Sequence, residues 1–88
     1  MQFKVVVCDD EKEMTDLLSD FCNEIDNLKT IQCFNSSQEL LEFVNKKDFH
    51  ILLLDIEMPG NNGIEVAKTI KDLKPLVKVI FITAHSNY

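Results

Sequence analysis

Asp9 and Asp10 stand side by side, Asp55 follows a run of aliphatic residues, and Thr83-Ala84 follows another. Each has an ordinary explanation when taken alone. An acidic pair ahead of a helix is favoured by the positive helix end, and an aspartate after a strand commonly opens a polar turn. Gathered at one rim, these residues would do something else. Crowded carboxylates raise each other's proton affinity unless a cation shares the site. A site of oxygen ligands, with no neighbouring His or Cys ligand, suits a hard ion, and Mg2+ takes one or two carboxylates while keeping several waters. Beside such an ion a carboxylate oxygen can attack phosphorus and form an aspartyl phosphate. The phosphoryl oxygens then need donors, which the Thr83 hydroxyl and the Ala84 backbone N–H would supply.

That chemistry needs elements that bring the residues together. ILLLD, residues 51–55, is too short for a membrane span, has no helical spacing and meets Pro59 and Gly60 soon after, so it reads as a strand buried on both faces. Phe3 to Cys8 is a second apolar strand ending in acid. Met14, Leu17, Leu18, Phe21, Cys22 and Ile25 follow helical spacing, with one face against a sheet. KTIQCF, 29–34, reads as a strand near a sheet edge, and Ser36 with Glu39 offers a capping box for a second helix through Leu40, Leu41, Phe43 and Val44. After a Pro-Gly-Asn-Asn-Gly loop comes a third helical pattern, Ile64 to Leu73, ended by Pro75, and Val77 to Ile82 forms the fourth strand. The order βαβαβαβ implies an α/β fold with an open, doubly wound parallel sheet and right-handed crossovers. Asp9, Asp10, Asp55 and Thr83 are therefore predicted to converge at the carboxyl ends of the strands, where such sheets bind ligands at the reversal of strand order.

The totals narrow the field. Eighty-eight residues suffice for one small domain, and 45% hydrophobic with 27% charged residues is the composition of a folded chain. A net charge of −6 argues against direct nucleic-acid binding, which relies on clustered Lys and Arg. Cys8, Cys22 and Cys33 show no CxxC spacing and fit reduced core thiols. MQFKVVVCDD is no secretory leader, so a cytoplasmic location and no membrane association are expected. His50 and His85 lack partners at metal spacing. Phe21, Phe34, Phe43, Phe49 and Phe81 are assigned to the core, and Ile56 and Met58 either pack in their loop or face a partner.

In its motifs the chain resembles the receiver domain of two-component response regulators. The matching residues are Asp9-Asp10 after the first strand, Asp55-Ile56-Glu57-Met58-Pro59 with Gly63 after the third, and Thr83-Ala84 after the fourth. DIEMPG and FITAHS further resemble receivers that precede LytTR-type DNA-binding domains. The resemblance implies a flavodoxin-like fold and a signalling role in which a sensor histidine kinase phosphorylates Asp55. It also implies Mg2+ held by Asp10 and the Glu57 backbone carbonyl, Asp9 acting on the ion through water, and Thr83 as the switch hydroxyl. Receivers continue through a fourth helix, a fifth strand ending in lysine and a fifth helix, so residues 1–88 are expected to be a single but incomplete receiver. Lys74-Pro75 resembles that lysine's local sequence but precedes the fourth strand, at the opposite rim. With the fourth strand left at an edge, a homodimer or other self-association through it is expected. Two other readings stand beside this one: a phosphohydrolase working through its own aspartyl phosphate, although Asp9-Asp10-Glu11 lacks the DxD spacing of the haloacid dehalogenase type, and a degenerate receiver serving only as an interaction module.

Overall fold

The computed structural model of the chain describes residues 1–58 and 61–82. The elements are β1 (Phe3–Cys8), α1 (Lys12–Glu24), β2 (Leu28–Phe34), α2 (Ser37–Val44), β3 (Ile51–Asp55), β4 (Glu57–Met58), β5 (Asn61–Asn62), α3 (Gly63–Leu73) and β6 (Lys78–Ile82). The main sheet is four-stranded in the order β2-β1-β3-β6, and its neighbouring strands pair in parallel. Strand order reverses between β1 and β3. The short β4 and β5 form a separate antiparallel pair, Glu57 opposite Asn62 and Met58 opposite Asn61. This pair lies within the segment expected to be plain loop.

Side chains alternate across the sheet as the period of two requires. Val6, Cys8, Leu52 and Leu54 face α2 and α3 in the larger core, together with Phe34, Leu40, Val44, Phe49, Val66 and Ile70. Val5 and Val7 face α1, where Cys22 and Leu18 cover them. The two sides differ in depth. Leu52 and Leu54 are fully buried, whereas Ile51 and Leu53 are half-buried. The expectation that β3 is buried on both faces is thus corrected: α1 lies over β1 and β2 and leaves the same side of β3 partly open.

α2 and α3 begin where their sequences provide side-chain caps, whereas α1 begins after Glu11 without one. The Glu39 N–H donates to Ser36 Oγ (3.3 Å), and the Ser36 hydroxyl meets Glu39 Oε1 (3.2 Å). Asn62 caps α3 by accepting from the Ile64 N–H at 2.9 Å, and Gly63, Val66, Ala67 and Ile70 form its buried stripe. On α1 only Thr15 and Cys22 are buried, while Leu17 and Phe21 are about three-fifths exposed. Phe21 and Phe81 therefore do not belong to the core, contrary to expectation; Phe34 and Phe49 do, with Phe43 packed against them. All three cysteines are free. No helix among the described residues is long and apolar enough to cross a membrane.

One irregularity lies in β2. Val5 pairs with Thr30 but Val6 pairs with Gln32, so Ile31 is an extra residue in the ladder and Phe34 comes level with Cys8. Across the sheet, Lys74 pairs with Asp48 at 3.0 Å. That places Lys74 at the entry to β3, away from its acidic end.

Candidate functional site

Three carboxylates meet at the reversal of strand order. Asp9 follows the last residue of β1, Asp10 the turn beyond it, and Asp55 closes β3; one carboxylate oxygen from each lies within 4.8 Å of the others. β1 and β3 pair through Val5–Ile51 to Cys8–Leu54, so the register itself brings the two strand ends level. Asp9 is buried, Asp55 intermediate and Asp10 exposed, which grades the site from core to solvent.

Each turn is held by local hydrogen bonds. Asp9 Oδ1 accepts from the Glu11 N–H at 2.9 Å, and Asp55 Oδ1 accepts from the Glu57 N–H at 3.1 Å. The Asp9 N–H donates to the Phe34 carbonyl at 3.0 Å. The Asp9 carbonyl accepts from Asn35 Nδ2 at 2.9 Å, a contact that no sequence motif signalled. Behind Asp55, the Gly63 N–H donates to the Ile56 carbonyl at 2.9 Å. A Cβ on Gly63 would lie 2.6 Å from the Asp55 carbonyl oxygen and 2.8 Å from Ile56 Cα. Glycine is required there by close approach of two backbones.

The electrostatics follow from burial and crowding. Burial first, then the charges of Asp9 and Asp10, push the Asp55 carboxyl up to about 6 against the opposing Glu57 N–H. Burial likewise raises Asp9, countered by the Glu11 N–H and reinforced by Asp10. Beneath them the Cys8 thiol is pushed up to about 12, mainly by burial and then by Asp9 and Asp55, so it is neither nucleophile nor metal ligand at neutral pH. Its Sγ rests 3.9 Å from Met58 Sδ, and Met58 is buried rather than presented to a partner. The donor set suits a hard divalent ion: oxygen ligands, close together, two of which, Asp9 and Asp55, give up their protons less readily than ordinary carboxyls. His50 is engaged elsewhere, its Nδ1 accepting from the Lys4 N–H at 2.8 Å.

Of the residues singled out from the sequence, Asp9, Asp10 and Asp55 are brought together, with Glu57 next to them. Asp55 pairs with Ile82, and the Ile56 N–H donates to the Ile82 carbonyl at 3.2 Å, so β6 ends beside the acidic rim. Thr83 and Ala84 lie outside the described residues, as does His85.

The family model described as "Response regulator receiver domain" matches residues 5–88. Protein-glutamate methylesterase/protein-glutamine glutaminase of Clostridium acetobutylicum is 35% identical over 85 residues, a match spanning 97% of this chain and 25% of that protein. Sporulation initiation phosphotransferase F of Bacillus subtilis is 33% identical over 85 residues, spanning 97% of this chain and 67% of that protein. Among solved structures, the isolated REC domain of RcsB from Salmonella enterica serovar Typhimurium, in the presence of a phosphomimetic, superposes with a TM-score of 0.89 at 27% identity. That match covers 99% of this chain and 65% of the other.

Proposed function

From the premise that the chain belongs to the response regulator receiver domain family, we propose that Asp55 is its phosphoacceptor and that a sensor histidine kinase is its donor. The observation that carries this reading is the approach of carboxylate oxygens from two strand ends to within 4.8 Å, with Asp55 alone at the end of β3. Residues 1–88 contribute to this role as part of one receiver domain.

A carboxylate oxygen of Asp55 bonds to phosphorus as the phosphorus–nitrogen bond of the donor histidine breaks. The bonding pair leaves with the imidazole nitrogen, which takes up a proton. Asp55 is ionised at neutral pH despite its raised value of about 6, and the Glu57 N–H fixes the plane of its carboxylate. Asp10, Asp55 and the backbone carbonyl of Glu57 would hold Mg2+, with Asp9 beside them. When bound, the ion supplies the positive charge that offsets the crowded acids and the transferring phosphoryl oxygens. Thr83 offers its hydroxyl, and Ala84 its N–H, to those oxygens. The setting is cytoplasmic, without nucleic acid bound directly or membrane association, and the chain pairs with itself through β6.

Intact-mass measurement tests the assignment. Within the natural protein that carries these residues, Mg2+ with a histidine kinase or a small phosphodonor adds one phosphate to the parent and none to Asp55→Asn. Equal labelling of the two would remove Asp55 from its role. Repeated release of phosphate, beyond one per chain, would instead indicate a hydrolase.

A further inference from the structure

The last backbone rung between β1 and β2 is the bond from the Asp9 N–H to the Phe34 carbonyl, 3.0 Å long. Beyond it the two strands part, one into the turn that opens α1 and the other into the cap of α2. The Asp9 carbonyl is left facing the place where a continuing β2 would have offered an N–H. Asp9 is only 5% exposed, so its carbonyl needs a donor from the protein. Asn35 provides it from its side chain, Nδ2 lying 2.9 Å from the Asp9 carbonyl oxygen. The same amide nitrogen lies 3.4 Å from Thr15 Oγ1, whose hydroxyl donates to the Lys12 carbonyl at 2.9 Å. One side chain thus extends the β1–β2 ladder by a rung and ties it to the first turn of α1.

Asn35 reaches this place because of the extra residue in β2. In an unbroken register Val6 would face Ile31, and Asn35 would lie one step past Asp9. With Ile31 unmatched, Phe34 comes level with Cys8 and Asn35 comes level with Asp9. The shift also sets alternate side chains: Cys33 packs toward α1 and Phe34 into the core beneath α2.

The acidic rim has a mechanical problem that this contact solves. Asp9 and Asp10 sit in a turn between strand and helix and are repelled by each other and by Asp55. Without restraint the turn would relax outward and carry Asp10, the exposed member, away from Asp55. We propose that Asn35 is a positioning residue of the acidic rim. It locks the Asp9 backbone so that Asp9 Oδ1 stays on the Glu11 N–H and both carboxylates remain turned toward Asp55. It touches neither the ion nor the phosphoryl group. The inference rests on the reading above, that this rim holds a divalent cation.

Two readouts on the full chain test it, one with the ion and one without. Asn35 is itself exposed, so substitution leaves the core packing in place. Calorimetric titration with Mg2+ alone, well below the unfolding temperature, compares the parent, Asn35→Ala, Asn35→Gln and, as a reference for lost binding, Asp10→Ala. Removing the second partner of a ligand set commonly costs 10–100-fold in metal affinity; here Asn35→Ala is expected to lose about tenfold, and Asn35→Gln, which keeps the amide, to recover to within about threefold of the parent. In the metal-free chain, hydrogen exchange of the Glu11 amide is expected to quicken in Asn35→Ala and to return toward the parent rate in Asn35→Gln. Unchanged affinity and exchange in Asn35→Ala, even with a lower thermal midpoint, would overturn the proposal, as would a loss that Asn35→Gln shares in full. If the parent binds no Mg2+, the metal reading fails by itself, and the Glu11 amide decides the positioning role: faster exchange in Asn35→Ala sustains it and an unchanged rate overturns it.

Discussion

A carboxyl held at about 6, against an ordinary value of 3.8, keeps its proton more tightly in the folded chain than in the unfolded one. Folding is therefore opposed by Asp55 only where that proton must be given up. In metal-free chain the cost is absent below about 3.8, grows as pH rises, and is complete above about 6. Asp55→Asn should then unfold at the same denaturant concentration as the parent at low pH, and be more stable by about 1–2 kcal/mol at pH above 7, after allowance for the water that still reaches the rim. Urea titrations across that range check both limbs, and saturating Mg2+ should narrow the difference by stabilising the parent alone. Gly63 makes the opposite case, where nothing can be added. Gly63→Ala forces a methyl to 2.6 Å from the Asp55 carbonyl oxygen, against backbone that cannot swing aside. A loss of about 1–3 kcal/mol is expected, with weaker Mg2+ binding as the Asp55–Ile56 backbone shifts; retention of both properties would show that the two backbones can separate freely. Asp9, Asp10 and Asp55 were legible in the sequence because strict alternation of elements dictates which strand ends share a rim. Asn35 was not, because its position depends on one unmatched residue in β2 that leaves no mark in composition or spacing.

At the scale of elements, the signals that held were those with a local mechanism. Ser36 marks the start of α2 by accepting from the free N–H of Glu39, while the Glu39 carboxylate accepts from the Ser36 hydroxyl instead of closing the expected box on the Ser36 N–H. The helix has eight residues, too few to persist without packing and a cap. Ser36→Ala should cost about 1 kcal/mol, read as a shift in the urea midpoint; no shift would mean that packing alone sets this helix end. The signals that failed needed knowledge of a neighbour. The α1 pattern contains two stripes, one with Thr15, Leu18 and Cys22 against the sheet and another with Leu17, Phe21 and Ile25 left exposed. Periodicity shows that an apolar face exists but not what covers it. The same gap explains β3, whose side toward α1 is only half-buried. The β4–β5 pair went unseen because two-residue strands carry no period at all.

Across the whole molecule, the two ends of the sheet differ. β2 carries the irregular register with β1, while β6 pairs with β3 and, among the described residues, with no other strand. Ile80 and Phe81 are each at least two-fifths exposed on β6, and Phe81 borders a groove of about 500 Å³ whose lining mixes Ile64, Ala67 and Val79 with Lys68, Lys71, Asp72 and Lys78. An unpaired edge next to apolar surface is a template for another strand. An 88-residue polypeptide of this sequence is therefore expected to self-associate at micromolar concentration, seen as a dimer or larger species by light scattering coupled to size exclusion. A monomer whose unfolding is independent of concentration would show that this edge is tolerated. The centre of the sheet has a different consequence. β1 lies between β2 and β3, so the strand translated ahead of both is the one that needs both. Until residues 28–55 have themselves emerged from the ribosome, the run from Val5 to Cys8 has no lasting partner, and once outside its β-branched side chains are open to any chaperone or neighbouring chain that meets them. The segment most deeply buried at the end is thus the one left unpartnered for longest, and slowing the emergence of β3 from the ribosome should lower the yield of folded protein, whereas a delay after β3 has emerged should not.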